Sequence, residues 1–182
     1  MKTTKWVLDP THSELGFKVR HLMISNVSGA FTNFNVEAET FEEDFSSAEI
    51  IVTADMASVS THNEQRDAHL RRSDFFDVES HPELNFKSTQ IEKGNDDSLI
   101  LYGDLTLKGV TKPVQLNVEF NGIVKDPWGG ERAGFLLSGK INRKDWGINF
   151  DVVTETGGLM LGEEIKINGE IQLLKQAASL AA

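Results

Sequence analysis

The alternation of apolar and polar residues with a period of two constrains the fold of this chain more than any other feature. In the segment 99–107, a leucine occupies every second position except the central one, which is Gly103. The segments 133–141 and 165–173 repeat this pattern, again with a glycine inside the apolar face. Because successive side chains of a strand point to opposite faces, each segment predicts a strand with one buried face.

The glycines inside these faces, Gly103, Gly139 and Gly169, admit two explanations. A missing side chain leaves room where a core is normally filled, which favours a hollow apolar interior and an apolar ligand. A glycine in a strand also marks a sharp bend at a barrel corner. The two explanations are compatible, and the sequence leaves both open. If the first holds, Gly103→Val or Gly139→Val should weaken ligand binding and leave stability almost unchanged.

Further alternating segments predict strands through most of the chain. Turn signals separate them, notably the hairpin loop 94–97, the turn marked by Gly109 and Pro113, and the turn 126–130. The segment 25–29 is predicted to be a loop. The predicted strands are 5–8, 14–21, 34–39, 47–54, 83–88, 89–92, 98–108, 114–120, 132–142 and 164–174. About eight strands in a meander, with few helices, favour a barrel or a sandwich.

The segment 56–82 lacks a clean alternation and is predicted to be one helical excursion between strands. Thr61 followed by Glu64 matches a capping box, and residues 64–72 are good helix formers. Pro82 then provides a stop signal, after which the alternation resumes.

Composition excludes several classes of function. The chain has 182 residues, which predicts one domain with a sizeable core, and it has no cysteine, which excludes disulfides and thiolate chemistry. Its net charge of −10 argues against nucleic acid and anionic membrane surfaces as partners. No stretch approaches the roughly 18 consecutive apolar residues of a membrane-spanning helix.

The two ends of the chain carry little pattern. The first six residues lack the apolar core of a signal peptide, so the chain as given is expected to be cytoplasmic, or periplasmic if a signal was removed. The small residues of 175–182 predict a short helix or a frayed tail.

Four groups of residues, in order along the chain, carry a family resemblance. They are Asp9-Pro10-Thr11-His12-Ser13 with Phe17 and His21, then Asn63 to Leu70 with Asp74-Phe75-Phe76-Asp77, then Gly103 to Val114, and finally Arg143-Lys144-Asp145-Trp146-Gly147. As a set, they resemble the YceI-like family of lipocalin-like barrels that bind polyisoprenoids and related lipids, over about Trp6 to Leu173. The resemblance implies an elongated eight-stranded antiparallel β-barrel, a helix near one end, a lipid-filled cavity and no catalytic residue.

This all-β fold defines a set of candidate ligand-binding residues on the inner wall. We expect a long-chain lipid there, such as a polyisoprenoid, an isoprenoid quinone or a fatty-acid-like molecule, and no metal or other cofactor. The predicted ligand-binding residues are Phe17, Val19, His21, Phe34, Val36, Leu101, Gly103, Leu105, Leu116, Val118, Phe120, Phe135, Leu137, Gly139, Ile167 and Ile171. The predicted head-group or rim residues are Arg66, His69 and Trp146.

Three polar residues at helical spacing, His62, Arg66 and His69, have more than one interpretation. They form a poor metal chelate, because Arg66 would repel a cation. Hydrogen bonds that fasten the helix to the barrel rim, or contact with a polar ligand head, are the other two interpretations. His21 ends an apolar face and is either a half-buried rim residue or a hydrogen-bonding partner for a head group.

Two further features are predicted from their position in turns or at a strand end. Trp128 and Trp146 are expected to plug a barrel end or to line its mouth. Residues 143–145 are expected to form a solvated corner at a strand end.

Three functions remain open from the sequence. The first is a non-enzymatic carrier or sequestering protein for a long-chain lipid. The second is an enzyme on the same barrel, with His21 or His69 as acid–base, acting on an isoprenoid quinone or its precursor. The third is a stress-response interaction protein with a solidly packed barrel. A homodimer is one oligomeric state that the sequence leaves open.

Overall fold

The computed structural model describes residues 2–150 and 160–176, which form eleven strands and one α-helix. Short 3₁₀ turns occupy Pro10–His12, Met56–Ser58 and Arg143–Trp146, and helix α1 is Glu64–Leu70. The strands are β1 (Thr3–Leu8), β2 (Glu14–His21), β3 (Ser25–Phe31), β4 (Phe34–Phe41), β5 (Asp44–Asp55), β6 (Val59–Ser60), β7 (Glu83–Lys93), β8 (Ser98–Leu107), β9 (Val110–Lys125), β10 (Glu131–Asn142) and β11 (Leu161–Lys175).

Eight strands close into an antiparallel barrel, which confirms the predicted fold. Their order is β1-β4-β5-β7-β8-β9-β10-β11, and β1 pairs with β11 to complete the ring. The last residues of β11 pair with β1, whereas its first part pairs with β2. The strands β2, β3 and β6 therefore extend one side of the barrel beyond β1, β4 and β5.

The barrel has two different ends. At the helix end lie α1, the β2–β3 hairpin and the Arg143–Trp146 turn. At the turn end lie the connections β4–β5, β7–β8 and β9–β10. Apolar side chains fill the space between these ends in two clusters, one toward each end.

Two strand predictions were wrong. The segment 25–29, predicted as a loop, belongs to β3, because pairing with β2 outweighs the weak strand propensity of its serines and glycine. Pro113, predicted in a turn, lies inside β9 opposite Asp104. Pairing between β9 and β10 reaches only to Leu116, so the missing N–H of Pro113 leaves no gap in the ladder toward β10.

The helical excursion is shorter than predicted. Helix α1 ends at Leu70, and its N-cap is Asn63, whose side chain accepts a hydrogen bond from the Arg66 N–H at 3.0 Å. The capping box at Thr61 was therefore wrong. The predicted tail also begins later, because β11 continues to Lys175, and residues 177–182 lie outside the described residues.

The space beside the inward glycines is filled by side chains of neighbouring strands. A Cβ atom on Gly103 would lie 2.3 Å from Cζ of Phe86 and 2.6 Å from the backbone oxygen of Lys87. A Cβ atom on Gly139 would lie 2.5 Å from Cδ2 of Leu116. These glycines admit close side-chain contact, as in the packing of aromatic rings over strand glycines. The prediction that valine at these positions would enter an empty tunnel was wrong.

We predict that Gly103→Ala destabilises the fold by about 1–3 kcal/mol, because its methyl group overlaps both the Phe86 ring and a backbone carbonyl. Gly134→Ala is the matched control, since the nearest atom to its Cβ is 3.8 Å away. The control should be neutral or slightly stabilising. Urea unfolding of both variants measures the difference, and equal midpoints would contradict the close-contact explanation.

Candidate functional site

The barrel interior contains two adjoining cavities along its long axis. The smaller, of about 90 Å³, lies toward the turn end, and the larger, of about 180 Å³, lies toward the helix end. Both are lined by Leu15, Val52, Leu101 and Leu137, which we call the waist. The cavities are therefore neighbouring parts of one elongated apolar interior.

The smaller cavity is enclosed by aliphatic and aromatic side chains. Phe45 packs against Phe120 with tilted rings and against Phe135 edge to face, at ring-centroid distances of 5.3 and 4.9 Å, and Trp6 packs on Phe45 at 4.9 Å. These rings fill the interior at the turn end. Besides the waist, this cavity is lined by Phe34, Val36, Ala38, Phe45, Ile50, Ile91, Leu99, Val118, Phe135, Ile171 and Leu173.

The larger cavity is covered at the helix end by residues outside the strands. Leu70 from α1, together with Phe75 and Phe76 from the segment after it, contacts the cavity. Met56 and Ile148 complete this cover. Besides the waist and these five residues, the cavity is lined by Gly16, Phe17, Val19, Phe31, Leu84, Phe86, Leu105, Leu107, Val114, Leu116, Ile141, Arg143, Leu161, Ile165 and Ile167.

The structure places the sequence-predicted residues in three groups. Phe17, Val19, Leu105, Leu116 and Ile167 line the larger cavity; Phe34, Val36, Val118, Phe135 and Ile171 line the smaller; and Leu101 and Leu137 lie at the waist. His21, Gly103, Phe120 and Gly139 are not among the side chains or backbone that line either cavity.

The three predicted rim residues lie outside both cavities. Arg66 donates from Nε to the Thr61 hydroxyl at 2.7 Å and from a terminal nitrogen to the Thr61 carbonyl at 2.8 Å. His69 hydrogen-bonds Asp74 through Nε2 at 2.8 Å, and this bond lowers the pKa of the Asp74 carboxyl. Trp146 is buried and donates from Nε1 to the Leu105 carbonyl at 3.0 Å.

Arg143 is a cavity residue that sequence reasoning missed. It was predicted to lie in a solvated corner, but it is 2 % exposed and lines the larger cavity. Its guanidinium donates to the backbone carbonyls of Gly162 at 2.8 Å, Ile148 at 2.7 Å and Leu161 at 3.2 Å. Trp146, three positions later in the same turn, could have indicated the burial of Arg143, because a buried tryptophan brings the whole turn against the barrel. Arg143 joins this turn to β11 and brings a polar group to an apolar cavity.

Trp128 does not plug a barrel end. It is 85 % exposed in the β9–β10 turn. The interior at that end is already filled by aromatic rings, so the turn leaves this side chain in solvent.

A polar network joins strands near the turn end. The Arg132 guanidinium donates to Asp9, to Asp126 at 3.0 Å and to Gln172 at 3.1 Å. Burial raises the pKa of the Asp9 carboxyl, but hydrogen bonds from Thr11, His12 and Arg132 together lower it well below its usual range. Asp9 thus anchors the break between β1 and β2 as an ionised carboxylate.

A family model described as the YceI-like domain matches residues 6–173. This chain belongs to the YceI-like family. A UPF0312 protein of Staphylococcus epidermidis is 41% identical over 170 residues, which cover 93% of this chain and 96% of that protein.

Solved structures agree with this assignment. The YCEI protein of Campylobacter jejuni is 34% identical to this chain and superposes with a TM-score of 0.75. The match covers 93% of this chain and 96% of the Campylobacter jejuni chain. A polyisoprenoid binding domain from Saccharophagus degradans, implicated in plant cell wall breakdown, covers 94% of this chain and 98% of its own. Its TM-score of 0.63 at 16% identity shows the shared fold.

Across residues 2–150 and 160–176, no three histidine, aspartate or glutamate side chains are grouped closely enough to hold a metal ion. The one α-helix there is too short to cross a bilayer.

We predict that Arg143→Met destabilises the fold by about 3 kcal/mol or more, because three backbone carbonyls lose their donor, two of them in buried hydrogen bonds. Arg143→Lys should rescue little, since an ammonium cannot reproduce the planar fork. Lys144→Met is the matched control. Lys144 is half-buried with its Nζ 3.2 Å from a carboxylate oxygen of Glu163, and its substitution should lower stability by less than about 1 kcal/mol. Thermal unfolding of the three variants compares them, and equal losses at both positions would refute a special role for Arg143.

We predict that Asp9→Asn lowers stability at neutral pH by about 1–3 kcal/mol, through weakened charge-assisted hydrogen bonds. The folded pKa of Asp9 is lowered, so its stabilisation is full above the unfolded value of about 4 and is lost progressively as pH falls from there toward the lower folded value. The gap between wild type and Asp9→Asn should therefore close on acidification. Asp97→Asn, in the exposed β7–β8 loop, is the control. A gap that is constant from neutral pH to about pH 3 would contradict this assignment.

Proposed function

We propose that this protein binds a long-chain apolar lipid along the barrel axis and carries or sequesters it without chemical conversion. The observation that carries this proposal is the pair of adjoining cavities with a shared apolar waist. An interior of this kind is suited to an apolar chain, because the free energy falls when water is excluded from the apolar wall and from the chain.

The shape of the interior favours a slender ligand. The ten residues of β8 span about 33 Å along the strand, or roughly 25 Å along the axis of a barrel whose strands tilt by about 40°. The two cavities hold only about 90 and 180 Å³ and share the waist residues. An acyl or isoprenoid tail fits this path, whereas a fused-ring molecule would have to part the four waist side chains.

Burial of such a tail gives a substantial binding free energy. At about 0.3 kcal/mol per heavy atom, a tail of about 30 carbons contributes roughly 9 kcal/mol, which corresponds to sub-micromolar binding. Arg143 at the helix end of the larger cavity favours an orientation with a polar head toward that end. The likeness to a polyisoprenoid binding domain agrees with this ligand class but, at 16% identity, carries only the fold.

The geometry favours binding over catalysis. His21 and His69, the acid–base candidates, do not line the cavities, and the Nε2 of His69 is engaged by Asp74. The cavities also argue against a solidly packed barrel. Ligand binding inside the barrel is the function that these contacts support best.

Lipid uptake by delipidated protein tests the proposal. We expect native mass spectrometry to show a lipid-sized mass that organic extraction removes, and fluorescent acyl and prenyl probes to bind the extracted protein. Leu137→Phe should narrow the waist and lower the affinity for a long-chain probe by tenfold or more, while the affinity for a short-chain probe stays unchanged.

Leu136→Phe is the matched control, because Leu136 is the neighbouring outward-facing residue, 41 % exposed. Affinities are compared per folded molecule, since added volume in the interior also costs stability. Absence of bound lipid together with absence of probe uptake would overturn the proposal.

A further inference from the structure

The tip of the β2–β3 hairpin exposes apolar side chains together. Leu22, Met23 and Ile24 are 39, 49 and 83 % exposed, and Met160 beside them is 36 % exposed. The Leu22 N–H donates to the Met160 carbonyl at 2.8 Å, which holds the two segments side by side. A contiguous exposed apolar group of this kind indicates contact with another apolar phase.

The backbone of this turn makes its residue types unusual. Leu22 and Met23 have φ angles of 53° and 60°, and the Ile24 N–H donates to the His21 carbonyl at 3.2 Å. Two central residues with positive φ define a turn in which Asn-Gly is preferred and bulky side chains are disfavoured. Folding alone therefore does not explain leucine and methionine at these positions.

A row of positive charge lies on the outer wall behind the tip. Lys18, Lys166 and Lys140 occupy directly opposed positions on β2, β11 and β10, and all three are exposed. Like charges in such register destabilise a sheet. Glu164 approaches Lys140 at 3.8 Å, but the row, with Arg20 on the same face of β2, keeps an excess of positive charge in a chain of net charge −10.

The turn end of the barrel differs in charge. Trp128 is exposed there, but the same connections carry Glu42, Glu43, Asp96 and Asp97. These carboxylates would be repelled by an anionic lipid surface. At the β2–β3 hairpin, by contrast, the exposed apolar tip lies beside the basic row.

The hairpin also continues the wall of the larger cavity. Val19 of β2 lines that cavity, and His21 pairs with Leu161, which lines it as well. Lys18 lies five positions from Met23, about 16 Å along an extended chain. Long lysine side chains shorten this distance to the head-group layer while the tip enters the interface.

We propose that residues 22–24 insert into the surface of a lipid bilayer with anionic head groups, and that the ligand passes between bilayer and larger cavity at this end. This inference rests on the proposed function, because it names the phase from which the lipid is taken. The sequence-based argument from net charge against anionic membranes misses this local excess of positive charge.

Flotation with vesicles of equal parts phosphatidylcholine and phosphatidylglycerol tests the docking step. A variant with Leu22→Asn and Met23→Gly removes two of the three apolar side chains of the tip and installs the residues that the turn prefers, so its melting temperature should stay equal or rise. We expect this variant to lose most vesicle binding. Trp128→Ser, which removes an exposed aromatic side chain from the opposite end, should bind vesicles like the wild type.

Lys166→Gln tests the basic row. It should weaken vesicle binding about fivefold and reduce the dependence on salt. Lys87→Gln is the matched control, since Lys87 is an exposed outer-face lysine on β7, opposite Asp104. With vesicles of phosphatidylcholine alone, these two variants should bind with equal affinity.

The outcomes separate this inference from the proposed function. We expect the tip variant to bind a soluble short-chain probe with wild-type affinity but to extract a long-chain probe from vesicles at least tenfold more slowly. Unchanged flotation of the tip variant, or loss of flotation in Trp128→Ser alone, would overturn the docking proposal. The docking proposal would also be overturned if the wild type is a dimer and only the tip variant is a monomer. The tip would then form an interface with a second copy of the chain. Failure of every variant and the wild type to bind any probe would instead overturn lipid binding itself.

Discussion

The pairing of the first strand with the last is the constraint on which the rest of the structure depends. Trp6, Val7 and Leu8 pair with Lys175, Leu174 and Leu173, and this short ladder closes the ring. Without it, two strand edges and an apolar interior would face water. The Asp9–Arg132 ion pair lies at the end of this ladder, so a polar network secures the same seam from outside the cavity.

The interior stays partly empty because its side chains fill some layers and fail to meet in others. At Gly103 and Gly139, the side chain of a neighbouring strand occupies the space directly. At the waist, four aliphatic side chains from different strands line both cavities. A cavity in a barrel thus depends on distances across the axis and on rings that fill either end, rather than on glycines in one strand.

The two ends of the barrel differ in how they are closed. The turn end is filled by rings packed on one another, including Phe120 and Phe135 at 5.2 Å, with short strand connections around them. The helix end is covered by a seven-residue helix and irregular segments, fastened by hydrogen bonds of Arg66 and Arg143. A cover built from short elements opens with fewer lost contacts than a packed aromatic core. This asymmetry fits ligand exchange at the helix end, next to the exposed hairpin.

The sequence by itself determined most of the strands and, through the family resemblance, the barrel, because period-two alternation and an ordered set of motifs are local properties of the chain. Most of the wall positions that it predicted do line the cavities, since inward and outward positions follow directly from alternation. Only the tertiary structure decided which inward positions border empty space, because that depends on residues far apart in sequence. Phe86 over Gly103 and the burial of Arg143 against β11 are examples. The charge distribution was equally a tertiary matter: Lys18, Lys166 and Lys140 become one row only because β2 and β10 both pair with β11.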